Sequence, residues 1–535
     1  MRAARRCSKR PGTNEAAPRP FPGPSTASLV LPSSRIGLAY AHGVAAAATG
    51  DANLDALRDA WQELLSLPHL VAWLGLAWAV YMAVLGGWIV LQKREPVATL
   101  SWLLGLALLP YLGFLIYHVF GPQRIHRQRL RRARSRELLP AEGDLGGTFH
   151  VDAAELARLG AATTGLPPAS ASDVRLLVDG GAKYGALLAD IAAAERHVHL
   201  EYYIYEPDRT GTALRDALVE RARAGVQVRL LLDAIGSARA RRFFRPLLDA
   251  GGELAWFHPM RFGRIWRRPW ANLRTHRKIV VIDGRVAYTG GMNITDEQDE
   301  RLGDSAYRDL HLRLEGQVVR SLQLVFCEDW AYATGDRGFL AAVARETPRE
   351  AAPGPVRAQV LVSGPDSPWE AIHRLHVSAI QAAKTRVWMT TPYFVPGEAA
   401  MMALTSAALA GLDVRLLVPR ESDSTLVTLA ARSYFGPLLL AGVRIHEYGP
   451  RMLHSKSLLV DDALVVVGSA NFDHRSFRLN FEVSVLFDDP GIAAELSALF
   501  EGELAHAPRV HRGRPRPLLR ARLPEALARL MSPLL

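Results

Sequence analysis

The pattern of apolar and polar positions divides the 535-residue chain into three kinds of sequence. Residues 1–60 are rich in Arg, Pro, Ser and Gly and have little to bury, which predicts a poorly structured segment. Residues 61–122 contain two apolar runs with almost no charge. From about residue 173 onwards, short β-branched runs alternate with amphipathic segments of helical period, which is typical of an α/β layered fold.

The two apolar runs cover about residues 67–91 and 97–120. Each has roughly 20–25 residues, which suffices to cross a hydrocarbon core of about 30 Å at 1.5 Å per residue. The connecting QKREP is too short for anything but a tight turn, so residues 61–122 are predicted to form an antiparallel transmembrane hairpin, with a kink at Pro110. A buried hairpin of a soluble protein is the alternative, and the near absence of charge argues against it.

The flanking charges predict the orientation of this hairpin. An arginine-dense run at 124–136 follows the second apolar run directly, and it opens a basic juxtamembrane linker over 123–172. The positive-inside rule then places the long C-terminal part in the cytoplasm, giving a multi-pass protein of the inner (plasma) membrane. The apolar stretch at 36–48 starts too far from the N-terminus to favour a signal peptide.

Two similar segments follow the linker, and we assign them to 173–350 and 351–508. The second repeats the strand and helix order of the first, and ARAGVQVRLLL in one corresponds to ALAGLDVRLLV in the other. A duplicated α/β unit within one chain is the simplest interpretation. A basic amphipathic tail, 509–535, completes the chain and is compatible with a membrane surface.

The candidate chemistry lies in one motif that occurs once in each copy. H-x-K-x-x-x-x-D stands at His276–Asp283 and again at His454–Asp461, and each copy is followed by G-[GS]-x-N. Alternation along an extended strand puts the histidine and the lysine of each copy on one face. An imidazole beside an ammonium group suits an anionic substrate, because the lysine binds negative oxygens while the imidazole attacks phosphorus or moves a proton. The candidate catalytic residues of the two motifs are His276, Lys278, Asp283, His454, Lys456 and Asp461.

Other polar residues are expected to support these histidines. A carboxylate downstream of each motif should hold the second imidazole nitrogen, and the candidates are Asp309 and Glu482, although the sequence leaves open which holds which histidine. Asn293 and Asn471 are candidates for contacts to phosphate oxygens. The motif aspartates stand next to turns, so a structural role in a β-hairpin is favoured for them over direct chemistry.

Composition narrows the function further. Two cysteines exclude a disulfide framework, and the sequence has no Cys/His cluster that would predict a metal. The formal net charge of +11 suits an anionic membrane or a nucleic acid equally well. The arginine- and tryptophan-rich stretch 261–274 fits a membrane interface, single-stranded nucleic acid, or a solvated loop.

From about residue 60 onwards the chain resembles the bacterial cardiolipin synthases of the phospholipase D superfamily. The resemblance rests on REPVATLSWLLGLALLPYLGFLIYHVFGP, on NLRTHRKIVVIDGRVAYTGGMNITDE, on TPYFVP and on LHSKSLLVDDALVVVGSANFDHRSFRLNFE. It implies two pseudo-symmetric phospholipase D-like α/β sandwich halves after the hairpin. It also implies phosphatidyl transfer between two phosphatidylglycerol molecules through a phosphohistidine, with no cofactor or metal and no nucleic acid as partner. By analogy, His276 is the nucleophile and His454 is the general acid and then base, while Lys278 and Lys456 stabilise the transition state.

Three alternatives from other classes stay open at this point. A membrane-anchored phospholipase D would hydrolyse the lipid instead of transferring the phosphatidyl group. A nuclease of the same superfamily is disfavoured by the two apolar runs. A non-catalytic lipid-binding scaffold is disfavoured by two intact motifs. The oligomeric state, the lipid range and the role of residues 1–60 do not follow from the sequence.

Overall fold

The computed structural model describes residues 68–91, 96–109, 151–258, 272–336 and 353–535, together with positions 113, 117, 338–339 and 343. The predictions for residues 1–60, for the arginine run at 124–136 and for most of 261–274 therefore lie outside the described residues. The chain divides into two compact units, Met1–Leu104 and Gly105–Leu535.

The described part of the smaller unit consists of apolar helix. Helix α1, Pro68–Leu91, contains the one stretch among the described residues that is long and apolar enough to cross a membrane, Ala72–Leu91. Helix α2, Pro96–Leu108, begins in this unit after a short connection. A Cβ atom added to Gly86 would lie 3.4 Å from the side chain of Leu103, so the two helices approach each other there. Most of the second apolar run beyond residue 109 lies outside the described residues, and the transmembrane hairpin stays a prediction.

The larger unit holds two α/β halves. The elements that precede and form the first half are α3 Val151–Thr164, β1 Ala169–Ala171, β2 Asp173–Val178, α4 Asp179–Ala192, β3 His197–Tyr202, α5 Arg209–Arg223, β4 Gln227–Asp233, α6 Arg245–Asp249, β5 Glu253–Phe257, β6 Ile279–Ile282, β7 Val286–Gly290, β8 Leu310–Glu315 and α7 Val318–Thr334. The elements of the second half and the tail are β9 Val356–Ser363, α8 Ala371–Ala382, β10 Arg386–Thr390, β11 Phe394–Val395, α9 Glu398–Leu409, β12 Asp413–Pro419, α10 Thr425–Ser433, α11 Phe435–Ala441, β13 Arg444–Tyr448, β14 Ser457–Val460, β15 Leu464–Gly468, β16 Phe472–Asp473, α12 His474–Arg478, β17 Glu482–Asp488, α13 Pro490–Leu504 and α14 Leu523–Leu530.

The two halves have the same sheet topology, which confirms the predicted duplication. The first sheet has the order β2-β8-β7-β6-β3-β4-β5, and the second repeats it as β9-β17-β15-β14-β10-β12-β13. In both sheets the last three strands of this order, β3-β4-β5 and β10-β12-β13, pair in parallel, whereas the motif hairpin, β6–β7 or β14–β15, pairs antiparallel. Each motif hairpin therefore lies in the middle of its sheet, where its β-branched residues are buried on both faces.

The predicted linker over 123–172 is wrong for its described residues, because they form a helix and a strand. Helix α3 uses the Ala-rich sequence VDAAELARLGAATT, which favours helix strongly. Strand β1 pairs antiparallel with β9 and so extends the sheet of the second half. The buried Gln359 fixes this arrangement, since its amide donates to Ala157 O at 3.1 Å and to Leu166 O at 3.0 Å. Frequent Ala, Gly and Pro made the stretch resemble a linker by composition.

A shared apolar core joins the halves. One cluster of buried side chains includes Leu312 and Leu314 of β8 in the first half and Val483 and Val485 of β17 in the second. Burying side chains of both halves in one core stabilises a single docking geometry. That geometry decides which residues of one half face the motif of the other.

Candidate active site

Each motif histidine is tied to the opposite half through its backbone. The N–H of His276 donates to Phe481 O at 2.9 Å, and the N–H of His454 donates to Arg308 O at 2.7 Å. Both histidines lie just before the central strands β6 and β14, so these strands begin slightly later than the sequence predicted. The two contacts are equivalent under the pseudo-symmetry of the halves.

The histidine side chains are held in the same crossed manner. His276 Nδ1 lies 3.0 Å from the carboxylate of Glu482, and His454 Nδ1 lies 2.6 Å from Asp309 Oδ2. Each histidine is therefore held by the carboxylate of the other half, which is the pairing that the sequence left open. A carboxylate at Nδ1 selects the tautomer that carries its proton there, so the lone pair of a neutral ring is on Nε2.

The second residue of each G-[GS]-x-N element makes room for the carboxylate of its own half. A Cβ atom on Gly291 would lie 2.1 Å from Asp309 Oδ1, so that position admits no side chain. The equivalent residue of the second half is Ser469, whose hydroxyl donates to Glu482 Oε2 at 2.5 Å. Asn480 also donates to Glu482, at 3.2 Å to Oε1. The two halves thus place a carboxylate at equivalent positions in different ways. In the first half the missing side chain of Gly291 leaves room for Asp309, and in the second half Ser469 hydrogen-bonds to Glu482.

Ion pairs support each carboxylate, and none of them was predicted from the sequence. Asp179 accepts from the backbone N–H of Asp309 at 3.3 Å and pairs with Arg308 at 2.6 Å. It also pairs with Arg451 of the second half, while Arg308 reaches Glu503 of the second half at 2.5 Å. No motif singles out these residues, because their partners are far away in the sequence.

Arg277, the variable residue of the first H-x-K, has the corresponding role at the other carboxylate. Its side chain is buried, donates to Glu482 O at 3.1 Å and to Ser363 O at 3.4 Å, and pairs with Asp329 of α7. Three partners offset the desolvation cost of burying the guanidinium charge. Removing one of them would leave part of that charge unpaired and would destabilise the fold.

The motif lysines lie behind the histidines. Lys278 Nζ donates to His276 O at 2.7 Å, and Lys456 Nζ donates to His454 O. Burial lowers the pKa of Lys278 to about 7 and that of Lys456 to about 8, against the opposing effect of the nearby carboxylates. In the part of the chain that the structure describes, neither lysine lines the cavity onto which the histidines open. The sequence predicted that both lysines would lie beside the histidines around one phosphate.

Both histidines open onto one cavity of about 800 Å³. Burial lowers the pKa of His276 to about 4 and lowers that of His454, while the paired carboxylates act in the opposite direction. Both rings are therefore largely neutral at pH 7 in this structure. The cavity wall also includes Tyr203, Tyr307, Tyr393, Gln298, Asp423 and Asp473.

The two candidate asparagines line the same cavity. The carbonyl of Asn293 accepts from Lys183 Nζ at 2.7 Å and from the hydroxyl of Tyr184 at 2.8 Å. The side-chain oxygen of Asn293 accepts from the backbone of Ile204 at 3.3 Å. The side-chain oxygen of Asn471 is buried and has no hydrogen-bond partner within the part of the chain that the structure describes. Lys183, which fixes the first asparagine loop, was not identified from the sequence.

The motif aspartates serve the hairpin and not the cavity. The carboxylate of Asp283 accepts from the backbone N–H groups of residues 195–197 at 2.8–2.9 Å, and that of Asp461 accepts from residues 384–386 at 2.8–3.1 Å. Both have positive φ, 54° and 52°, as the turn requires. Among the described residues that line the cavity neither aspartate is included, and the structural role favoured from the turn sequence fits the contacts.

The described residues contain no group of three or more His, Cys, Asp or Glu side chains placed to hold a metal ion. Lys456 lies close enough to Lys278 to lower its pKa, and both lysines lower the pKa of His454. Arg239 and Arg475 line the cavity as well and add positive charge to it.

Two α/β halves that share one cavity and contribute one H-x-K motif each define the class of the phospholipase D superfamily. The model of the family described as cardiolipin synthase, phospholipase D-like domain matches residues 187–306 and 377–504, and a phospholipase D-nuclease N-terminal model matches 76–122. The chain is 39% identical to cardiolipin synthase 2 of Bacillus anthracis over 477 residues, covering 84% of this chain and 90% of that protein. It is 39% identical to the cardiolipin synthase of Geobacillus kaustophilus, covering 83% and 90%. The chain belongs to the cardiolipin synthase family and is a phosphatidyltransferase.

A solved structure also shares the fold. The phosphatidylserine synthase of Haemophilus influenzae superposes with a TM-score of 0.53 at 14% identity, covering 71% of this chain and 100% of that chain. This likeness concerns the fold of the two halves alone.

Proposed function

We propose that this enzyme transfers a phosphatidyl group between two phosphatidylglycerol molecules, forming cardiolipin and glycerol through a phosphohistidine. The observation that carries the proposal is the crossed arrangement in one cavity. Each histidine has Nδ1 held by a buried carboxylate, which leaves Nε2 for chemistry. Two such groups are what a double displacement at phosphorus requires, one as nucleophile and one as proton carrier.

In the first step, Nε2 of His276 attacks the phosphorus of one phosphatidylglycerol. The bond between phosphorus and the glycerol headgroup oxygen breaks, and that oxygen takes a proton from Nε2 of His454. A pKa of about 4 keeps His276 unprotonated at neutral pH, as a nucleophile must be. Bound phosphodiester brings a negative charge that raises the pKa of His454, so the general acid gains its proton when substrate is present.

In the second step, His454 Nε2 removes the proton from a glycerol hydroxyl of the second phosphatidylglycerol. The resulting oxygen attacks phosphorus, the P–N bond breaks, and His276 is regenerated as cardiolipin forms. Glu482 and Asp309 stabilise the positive charge that each ring carries in turn.

Lys278 and Lys456 supply the positive charge for the phosphorane-like transition state. Each donates to the carbonyl of its motif histidine, and we infer that this contact is exchanged for one to a phosphate oxygen when the lipid binds. We expect full activity in excess EDTA, and a strict requirement for a divalent ion would contradict this chemistry.

The preference for a lipid alcohol over water depends on a site at the membrane, where lipid is concentrated and water is scarce. We propose that helix α1 and the second apolar run form an inner-membrane hairpin with the catalytic part in the cytoplasm. The length and composition of Ala72–Leu91 support this proposal, as does the arginine run at 124–136. A reporter fused after Arg136 that worked only outside the cytoplasm would overturn the topology.

The function is tested with purified, detergent-solubilised protein, phosphatidylglycerol as sole lipid, EDTA, and separation of products by mass. We expect cardiolipin and free glycerol, both lost in His276→Ala and in His454→Ala. Phosphatidic acid as the main product would make the enzyme a hydrolase with the same site.

A further inference from the structure

The C-terminal segment folds against the second half instead of extending from it. Helix α14, Leu523–Leu530, follows a short π-helical turn, Leu518–Arg522, and packs on α10. Ala528 of α14 is buried, and so is Ser532, whose hydroxyl lies 2.9 Å from that of Tyr434. The contact with the core is thus made by one face of the segment.

The opposite face of the segment is a solvent-exposed apolar stripe. Leu523, Leu527 and Leu530 have the i, i+4, i+7 spacing of a single helix face, and Leu527 and Leu530 are 55% and 75% exposed. Six of the thirteen exposed large apolar side chains in the described part of residues 151–535 lie in this segment, namely Leu518, Leu519, Leu523, Leu527, Leu530 and Met531. An apolar concentration of this kind marks an interaction surface.

Arginines accompany the stripe. Arg520 and Arg522 are exposed within the turn that precedes α14. Arg514 pairs with Glu447 at 2.7 Å, and Arg512 donates to Leu439 O at 2.7 Å, so the chain leading into the stripe is fixed to the second half. Leucines beside exposed arginines are complementary to an anionic lipid surface, which offers acyl chains below negative headgroups.

The same segment forms part of the cavity wall. Leu534 and Leu535 line the cavity that contains both motif histidines, and Leu535 O accepts from the backbone N–H of Arg475 at 2.9 Å. Val427 of α10, the helix on which α14 packs, lines it as well. Fewer than ten residues of sequence therefore connect the exposed stripe to the cavity wall.

We propose that residues 518–531 are a membrane-docking surface that lays the catalytic unit on an anionic bilayer beside the entrance of the cavity. The leucine stripe enters the acyl boundary, Arg520 and Arg522 contact anionic headgroups, and Leu534 and Leu535 continue the apolar path towards the histidines. This proposal rests on the proposed function for the identity of the lipid. Its separate claim is that residues 518–531 are the surface of the catalytic unit that contacts the membrane.

The test uses the full chain in nanodiscs, with an environment-sensitive fluorophore on Leu530→Cys in a Cys7→Ser background. Cys327 is buried and its thiol pKa is raised to about 12 by burial, so it should not label. The matched control is Leu248→Cys, on the exposed surface of α6 in the first half. We expect a blue shift, and quenching by spin-labelled lipid, for position 530 only, and more in discs with phosphatidylglycerol than in phosphatidylcholine alone.

Charge and apolar variants separate docking from chemistry. Arg520→Gln with Arg522→Gln should weaken docking by roughly 25-fold, at about fivefold per arginine near an anionic surface. Leu527→Glu should abolish the quenching and raise the KM for phosphatidylglycerol in discs, with kcat on detergent-dispersed lipid unchanged.

Three outcomes would overturn the docking proposal. Position 530 could be unquenched in every disc. It could be shielded equally in detergent, as when another part of this chain covers it. It could be shielded only at high protein concentration, as when a second copy covers it. In each case, cardiolipin formation that still depends on His276 would leave the proposed function intact.

Discussion

The crossed pairing of histidine and carboxylate makes Glu482 the residue whose change is most informative. Glu482 is fully buried, lies 3.0 Å from His276 Nδ1, and also accepts from Ser469 and Asn480. Glu482→Gln keeps the shape, removes the charge and replaces one acceptor oxygen by an NH2 donor. In the proposed mechanism, the attack of His276 on phosphorus creates a positive ring beside that charge, so the loss falls on the transition state of the covalent step.

The size of the effect follows from the distance. Two unit charges about 4 Å apart interact by about 4 kcal/mol at an effective dielectric constant of 20. That energy corresponds to roughly a 10³-fold lower kcat. The KM for phosphatidylglycerol should change little, because the neutral ring of the ground state gains less from the carboxylate.

The assay compares phosphatidylglycerol with a phosphatidyl ester of p-nitrophenol, whose leaving group needs no proton. With Glu482→Gln we expect release of p-nitrophenol to be slowed as strongly as release of glycerol. The matched control is Asp309→Asn at the other histidine, for which only glycerol release should be strongly slowed. A melting temperature within a few degrees of the parent verifies that each variant folds.

The double variants decide whether the pairing is crossed. Glu482→Gln should add almost nothing to the loss caused by His276→Ala, because the two residues act as a unit. It should add fully to Asp309→Asn. A loss under tenfold for Glu482→Gln, or coupling of Glu482 to His454 instead of His276, would refute the reasoning.

Three further predictions follow from the same geometry. Because burial lowers the pKa of His276 to about 4, the acid limb of kcat/KM against pH should lie near pH 4 and not near 6.5, since the free enzyme needs the unprotonated ring; a limb at 6.5 would contradict this. Asp283→Ala leaves backbone N–H groups unpaired, so it should lower the free energy of unfolding by about 1–3 kcal/mol in denaturant titrations, with kcat per folded molecule nearly unchanged. Gly291→Ala displaces the carboxylate of Asp309 and should lower kcat by about 10²-fold or more. Ser469→Gly at the equivalent position removes the hydroxyl that donates to Glu482 and accepts from the backbone N–H of Val483, and should cost about tenfold; equal effects of the two changes would refute the packing argument.

Local sequence predicted much of the fold, because the two halves are built from local patterns. The alternation of β-branched runs and amphipathic helices predicted both sheets, and the repeated ARAGVQVRLLL-like segment predicted their duplication. Asp283-Gly284 predicted the motif hairpin, and both residues have positive φ at its turn. Helix α3 was missed because its Ala-rich sequence also resembles a linker.

The pairing within the site was not accessible from the sequence. His276 and Glu482 are separated by 206 residues, and Asp309 and His454 by 145. A carboxylate follows each motif within its own half, so pairing within a half was equally consistent with the spacing. Only the docking of two buried sheet faces against each other determines the crossed arrangement. The buried partners Asp179 and Lys183 were missed for the same reason, since their contacts lie far away in the chain.

The most direct test of the central claim is to trap the covalent intermediate. His454→Asn, incubated with the phosphatidyl ester of p-nitrophenol and quenched at alkaline pH, should release about one equivalent of p-nitrophenol in a burst. Peptide mass spectrometry should then locate an alkali-stable, acid-labile phosphatidyl group on His276, and His276→Asn should give no burst. Turnover by His276→Asn, or an adduct on His454 in an otherwise unchanged enzyme, would contradict the assignment of nucleophile and proton carrier.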